Sequence, residues 1–162
     1  MGVGKLHSSR PFERGERIAA VKASRRRSGV AKIVMEFERG GRVTATLSEE
    51  KAPKTVRAVL AALPVEAEAM HAMWAGEEIF FGGYPAKFEY ERPTQIVSPG
   101  ALAMVPRSSS FCIFYGRAIP RSAVDREIDV TVFGQVDDVA AMAEIGKRVR
   151  MRGVEKITIK SL

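Results

Sequence analysis

Apolar and polar residues alternate with a period of two in the first well-patterned stretch of this chain. Apolar residues occupy every second position of 33–37 and of 43–47, and Gly40-Gly41 lies between the two stretches. Successive side chains of a strand point to opposite faces of the sheet. Paired glycines accept the positive φ of a two-residue hairpin turn. The stretch therefore predicts a β-hairpin with one buried face.

Further strands and two short helices are predicted along the rest of the chain. Pro53 suits the first turn of a helix that Pro64 ends, and Asp137 or Asp138 is a suitable N-cap for a second helix that ends at Gly146. Such a mixture of about eight mostly antiparallel strands and few helices indicates a barrel or a sandwich. The later predicted strands cover 78–81, 86–90, 102–105, 111–115, 128–132 and 157–159.

Two of these stretches carry less regular patterns. Residues 66–73 are rich in Ala, Glu and Met, which favours a helix by intrinsic propensity, although an extended segment remains the alternative. Residues 111–115 are continuously apolar. We expect that strand to be buried on both faces or to be directed into a pocket.

Length and composition indicate a single domain without membrane-spanning segments. The 162 residues suffice for one hydrophobic core, and no apolar run approaches the roughly 20 residues that cross a bilayer. The N-terminus lacks the apolar region of a secretory signal. Cys112 is the single cysteine, which excludes an intrachain disulfide and fits a reducing compartment. We therefore expect a cytoplasmic protein.

Positive charge is concentrated at the N-terminus. Residues 1–30 carry eight Lys or Arg and two acidic residues, so they account for +6 of the net charge of +7. We predict a poorly structured basic arm at 1–30 and a globular domain at 31–162. The arm, with Arg25, Arg26 and Arg27, is a candidate contact for nucleic acid or another polyanion. The alternatives are a solvated tail and a start codon placed too far upstream.

Two segments resemble cyclophilins. They are Ala52-Pro53-Lys54-Thr55-Val56, which opens the first helix, and Val132-Phe133-Gly134-Gln135-Val136, which ends a strand. The order of elements is also similar to the cyclophilin order. The resemblance implies a closed eight-stranded β-barrel with a helix at each end, and an extended conformation for 66–73.

The chain more closely resembles a small prokaryotic cyclophilin-like domain family whose function is unassigned. One matching segment runs from Trp74 to Phe81, with Ala75 as an extra residue. The other runs from Phe111 to Gly116, with Pro120 close behind. The resemblance covers the whole chain except the arm.

The segment that carries catalysis in cyclophilins is not reproduced here. Catalytic cyclophilins resemble one another in an Arg that polarises the prolyl amide, a Phe that holds the ring and a Gln. The equivalent region, 74–88, contains neither Arg nor Gln. Arg92, Arg107 and Arg117 are candidate substitutes for the arginine. An atypical prolyl isomerase is therefore an alternative function.

A binding module is the leading functional prediction. Its ligand would be a peptide or a small molecule held in a cleft at the barrel mouth. The candidate ligand-binding residues are Trp74, Glu78, Phe80, Tyr84, Arg107, Phe114 and Tyr115. Several of these residues could instead have structural roles. Glu77 could be solvated while Glu78 satisfies loop N–H groups, Trp74 could plug the rim of the barrel, and Phe114 could pack in the core.

Other chemistries receive little support from the sequence. Two histidines are too few to indicate a metal site, and no phosphate-binding or cofactor motif is present. Ser108-Ser109-Ser110 fits a hydrophilic turn or an anion site. Cys112 is expected to be a buried, unreactive thiol. A homodimer would be the default oligomer, although no sequence feature demonstrates one.

Overall fold

Eight antiparallel strands close into one barrel, with two α-helices between them. The structure is a computed structural model that describes residues 29–124 and 126–162. The elements in chain order are β1 (Lys32–Phe37), β2 (Arg42–Leu47), α1 (Pro53–Ala62), β3 (Val65–His71), β4 (Gly76–Phe81), β5 (Ala101–Val105), a 3₁₀ turn η1 (Pro106–Ser108), β6 (Ser110–Ala118), β7 (Thr131–Val136), α2 (Val139–Arg152) and β8 (Glu155–Ser161).

The strands follow the order β1-β2-β7-β5-β6-β4-β3-β8 around the barrel, and every neighbouring pair is antiparallel. The first hairpin has the predicted register, with Ile33 opposite Ala45. Gly40 and Gly41 both adopt positive φ at its turn, which side chains with a Cβ rarely tolerate. The predicted eight-stranded cyclophilin-like barrel with two helices is confirmed.

The barrel wall between β4 and β7 is buried on both faces. The interior holds one large apolar cluster, to which β6 contributes Phe111, Ile113 and Tyr115. A second, smaller cluster lies on the outer side of the same wall and includes Cys112 and Phe114. Strand β6 is accordingly buried from Ser110 through Tyr115. The continuously apolar run in the sequence therefore reflects a strand that packs on two sides.

Helix α1 receives its N-terminal cap from a distant residue. Its N-cap position is Ala52, whose side chain cannot accept a hydrogen bond. The carboxylate of Glu91 instead accepts from the backbone N–H of Lys54 at 3.0 Å, and from the N–H and hydroxyl of Thr55 at 2.8 and 2.7 Å. The segment after β4 is thereby attached to the start of the helix. Helix α2 is capped locally, since the Asp138 side chain accepts from the Ala141 N–H.

Three element predictions are wrong in whole or in part, and one open choice is resolved. The strand predicted at 128–132 begins only at Thr131, as β7, and Val130 forms an isolated bridge with Thr94. Residues 86–90 form no strand: Phe88 packs on Tyr84 at the barrel core, but the segment has no ladder partner. Gly146 does not end α2, which continues to Arg152. Its missing Cβ instead leaves room for the ring of Tyr115. Of the ambiguous residues 66–73, those at 66–71 are extended in β3, which pairs with β8 up to Ala69 and with β4 at Met70 and His71, whereas 72 and 73 lie beyond the strand.

The basic arm with Arg25, Arg26 and Arg27 lies outside the described residues. The barrel itself is built from residues 32–161. Within the part of the chain that the structure describes, neither helix has the length and apolar character needed to cross a bilayer.

Candidate functional site

A cavity of about 310 Å³ lies on the outer side of the double-sided wall. Its floor is formed by side chains of β4 and β6, chiefly Glu78, Phe80, Cys112 and Phe114. The irregular segment between β6 and β7 covers it, with Pro120, Arg121, Ser122, Ala123 and Ile128 among the lining residues.

Strand alternation brings the floor side chains together. In β4, Ile79 and Phe81 belong to the barrel core, so Glu78 and Phe80 point outward. Glu78 is paired with Phe114, and Phe80 with Cys112. Directly opposed residues have neighbouring side chains on the same face. The carboxyl group of Glu78 therefore lies beside the ring of Phe114.

Glu78 is a buried carboxyl group in a largely apolar setting. The residue is 5% exposed. Burial raises its pKa to about 7, because the charged form is separated from water, and the neighbouring Cys112 thiol opposes this only in part. Burial also raises the pKa of Cys112, and the neighbouring Glu78 adds to the shift. The pair therefore consists of a thiol and a carboxyl group that changes charge near neutral pH.

The two ends of the cavity differ in polarity. Arg107, Ser108 and Ser110 line the end next to η1, where the hydroxyls of Ser108 and Ser110 lie 2.7 Å apart. Glu78 is opposite Phe114, four residues along β6 from Ser110, which corresponds to about 13 Å of strand. A basic, hydroxyl-rich end and a carboxyl end are thus separated by the apolar middle.

Trp74 attaches the covering segment to the wall. Its indole N–H donates to the carbonyl oxygen of Arg121 at 2.8 Å, and its ring meets that of Phe80 edge-on at 5.7 Å. Trp74 is 39% exposed, and it also lines the cavity. Arg121 forms an ion pair with Glu127 at 3.7 Å. The tryptophan therefore positions the cover and presents an apolar surface to the cavity.

The structure brings five of the seven predicted site residues to this cavity. They are Trp74, Glu78, Phe80, Arg107 and Phe114. The cavity itself lies on the outer wall and not at the barrel mouth, where the sequence analysis placed the cleft. Ligand binding by these residues stays a prediction.

Tyr84 and Tyr115 lie inside the barrel, away from the cavity. The Tyr84 hydroxyl donates to the Val59 carbonyl oxygen at 2.8 Å. The Tyr115 hydroxyl pairs with His71 Nε2 at 2.7 Å. Tyr115 follows Phe114 by one residue, so strand alternation directs it to the opposite face of the wall. Both residues were predicted at the site as aromatic residues in or near the two matching segments, and that prediction did not separate residues by face.

Glu77 and Glu78 point to opposite faces, as their adjacency predicts. An oxygen of Glu77 accepts the backbone N–H of Arg117 at 2.6 Å, whereas Glu78 faces the cavity. Of the three arginines considered as catalytic substitutes, Arg107 lines the cavity. Arg92, at a φ of 44°, lines a separate groove of about 480 Å³, and Arg117 lies on neither lining.

Sequence reasoning missed the rest of the cavity. Cys112 was predicted to be buried and was not included in the site. Because it lies two residues from Phe114 in the same strand, strand alternation would have placed both side chains on the same outer face. The covering residues Pro120–Ala123 have no periodic pattern and carried no signal. Among residues 29–124 and 126–162, no group of three or more metal-ligating side chains comes together.

Comparisons with known proteins support the fold. The profile of a family described as "Protein of unknown function (DUF3830)" matches residues 35–161. No curated protein matches the chain significantly. A similar solved structure is the hypothetical protein AF2241 from Archaeoglobus fulgidus, with a TM-score of 0.62 and 23% identity over 82% of this chain and 95% of that one.

Two further solved structures share the fold at low identity. The Mimivirus cyclophilin has a TM-score of 0.52 and 18% identity, over 82% of this chain and 88% of its own. McbB, solved in complex with tryptophan, has a TM-score of 0.65 and 18% identity over 79% of this chain. The match spans only 44% of McbB, less than half its length.

Proposed function

We propose that this chain, which belongs to the DUF3830 family of proteins of unknown function, binds a small molecule or the end of a peptide in the outer-wall cavity. One observation carries the proposal: a buried carboxyl group, that of Glu78, faces a cavity whose middle is apolar. Ligand sites are typically concave, mostly apolar and equipped with few polar groups that orient the ligand.

The dimensions of the cavity restrict the ligand. A volume of about 310 Å³ lies at the small end of the roughly 300–1,000 Å³ range of ligand pockets. It suits a compact molecule or one to two residues of a peptide. Phe80, Phe114 and Trp74 would contact the apolar part of such a ligand, while Glu78 would contact a polar hydrogen on it.

A blocking substitution tests the proposal. Ala123 lines the cavity and is exposed, so Ala123→Phe is expected to fill the opening without disturbing the barrel core. We expect members of a fragment library of aromatic alcohols, amides, amines and acids to bind the unchanged protein in ligand-detected NMR, and to lose binding in Ala123→Phe.

Val124→Phe is the matched control, because Val124 is the next residue, is 92% exposed and does not line the cavity. It should leave fragment binding intact. Fragments that bind Ala123→Phe as well as they bind the unchanged protein would contradict the site. A library without a single bound member would contradict the proposed function.

Prolyl isomerisation is the enzymatic alternative, and one observation favours it. Arg107 lines the same cavity as the apolar side chains, so a guanidinium group and an apolar surface for a proline ring are both present. Rotation of an Xaa–Pro amide needs only modest assistance compared with most reactions. The activity stays a prediction, as do polyanion binding by the arm, homodimerisation and a cytoplasmic location.

A further inference from the structure

Glu78 has no positively charged partner among the described residues that affects its ionisation. Burial and the Cys112 thiol are the influences that act on it. Buried carboxylates in proteins are usually paired with a cation or held by several hydrogen bonds, because an isolated buried charge is costly. A buried carboxyl group without a cationic partner, at the floor of a cavity, can pair with a cation that a ligand supplies.

Within residues 29–124 and 126–162, the charged groups nearest Glu78 are placed so that they do not supply that partner. Arg107 lies at the η1 end, beyond Ser110, which is itself four residues along β6 from the Phe114 that pairs with Glu78. Arg121, on the cover, is paired with Glu127. Glu77 and His71 lie on the opposite side of the wall, where Glu77 influences the ionisation of His71 and of Tyr115.

We propose that the cavity selects ligands that carry a protonated amine, with Glu78 as the counter-ion of the ammonium group. This inference rests on the proposed function and names the chemical class of its ligand. An ammonium group would pair with the ionised carboxylate and offset the cost of its burial. An anionic ligand group at the same position would repel the carboxylate, and a neutral donor would offset less of the cost.

Aromatic rings beside the carboxyl group favour the same ligand class. Phe114 is directly opposite Glu78 in the sheet, and Phe80 is two residues along on the same face. Trp74 packs edge-on against Phe80 and lines the cavity. Ammonium groups are attracted to aromatic faces, most strongly where water is excluded. A carboxylate with neighbouring rings therefore accommodates both the charge and the apolar part of an organic amine.

Amine binding is coupled to the ionisation of Glu78. Below a pKa of about 7 the free carboxyl group is protonated and neutral, so an ammonium group gains little from it. Above that pH the carboxylate is present before binding. The affinity for an amine that stays protonated should therefore rise between pH 6 and pH 8 by about tenfold, the increase in the ionised fraction of Glu78.

The probe pair is benzylamine and benzyl alcohol, which have similar shapes and differ in charge. Trp74 is the single tryptophan of the chain, so its fluorescence reports occupancy of the cavity directly. We expect benzylamine to bind about tenfold more tightly at pH 8 than at pH 6, and benzyl alcohol to bind independently of pH. Glu78→Gln should remove the pH dependence and the preference for the amine, while benzyl alcohol binding shows that the cavity remains intact.

Glu77→Gln is the control, because it removes an adjacent carboxylate from the other face of the wall. It should retain both the preference and the pH dependence. Equal, pH-independent binding of the two probes would overturn the amine inference and leave the proposed function standing. Loss of the preference in Glu77→Gln would also overturn it. If neither probe binds, the inference is wrong, and the fragment library decides the proposed function separately.

Discussion

Glu78 makes the stability of the folded chain depend on pH in an unusual direction. Most carboxyl groups in folded proteins stabilise the fold as the pH rises above their pKa. Burial raises the folded-state pKa of Glu78 from 4.5 to about 7, so the folded state holds this proton more tightly than the unfolded state does. The contribution of Glu78 to stability is therefore most favourable below pH 4.5 and declines as the pH rises to about 7.

A substitution that removes the charge of Glu78 should remove this decline in stability with rising pH. Glu78→Gln is expected to increase the free energy of unfolding by about 2–3 kcal/mol more at pH 8 than at pH 5, relative to the unchanged protein. Urea unfolding at the two pH values measures the difference. Glu77→Gln serves as the reference, and a gain for Glu78→Gln that is equal at both pH values would contradict the assigned burial of the charge.

The N-terminus of helix α1 is capped by a residue of a loop, Glu91, which follows the helix in sequence by about thirty residues. Glu91 supplies the cap that Ala52 lacks, and the Glu91 N–H donates to the Thr131 hydroxyl at 3.0 Å, which holds the residue against β7. Burial alone would raise the pKa of Glu91, but the hydrogen bonds from Thr55 and Lys54 outweigh it and leave the pKa lowered. The cap is therefore charged at neutral pH and is lost as the pH falls through the lowered pKa.

We expect Glu91→Ala to destabilise the protein by about 1–2 kcal/mol at pH 7, the usual range for loss of an N-terminal cap. Glu89→Ala is a close control, since Glu89 pairs with Lys54 at 2.8 Å but both side chains are largely exposed. Such surface pairs contribute little. Thermal or urea unfolding of the two variants compares them, and equal destabilisation would argue against a distinct role for the cap.

At the scale of the whole molecule, the barrel could be predicted because strand alternation is a local pattern. The hairpin 32–47, the double burial of 111–115 and the second helix cap were all present in short windows of sequence. The motif containing Trp74, Glu78 and Phe80 also marked one side of the cavity. Local periodicity and a segment resemblance were sufficient for these features.

The remaining features depend on contacts that no short window contains. Residues 86–90 alternate like a strand, but strand formation needs a partner. The segment packs Ala86 and Phe88 against the core without pairing with a strand. Gly146 reads as a helix end, yet the ring of Tyr115 requires a glycine there. The part of the cover at 119–124 has no period in its apolar residues. Its position follows from Trp74 and from pairing between Thr94 and Val130.

The burial of β6 on both faces predicts where the backbone is most protected. This strand pairs with β4 on one side and β5 on the other, and apolar side chains cover both of its faces. Its amides at 111–115 should exchange with deuterium only through global unfolding, whereas amides of 118–124 should exchange through local opening. Hydrogen exchange followed by NMR measures both. Faster exchange in β6 than in β1 would contradict the prediction.

Because β6 is buried on both faces, we expect the floor of the cavity to be pre-formed for ligand binding. If β6 opens only with global unfolding, the floor of the cavity keeps its shape before any ligand arrives. A ligand would then lose little affinity to ordering of the backbone beneath it. Adaptation to ligands of different shape would fall to the irregular cover. Variation among relatives in what they bind should accordingly be concentrated in that cover, while the floor stays constant.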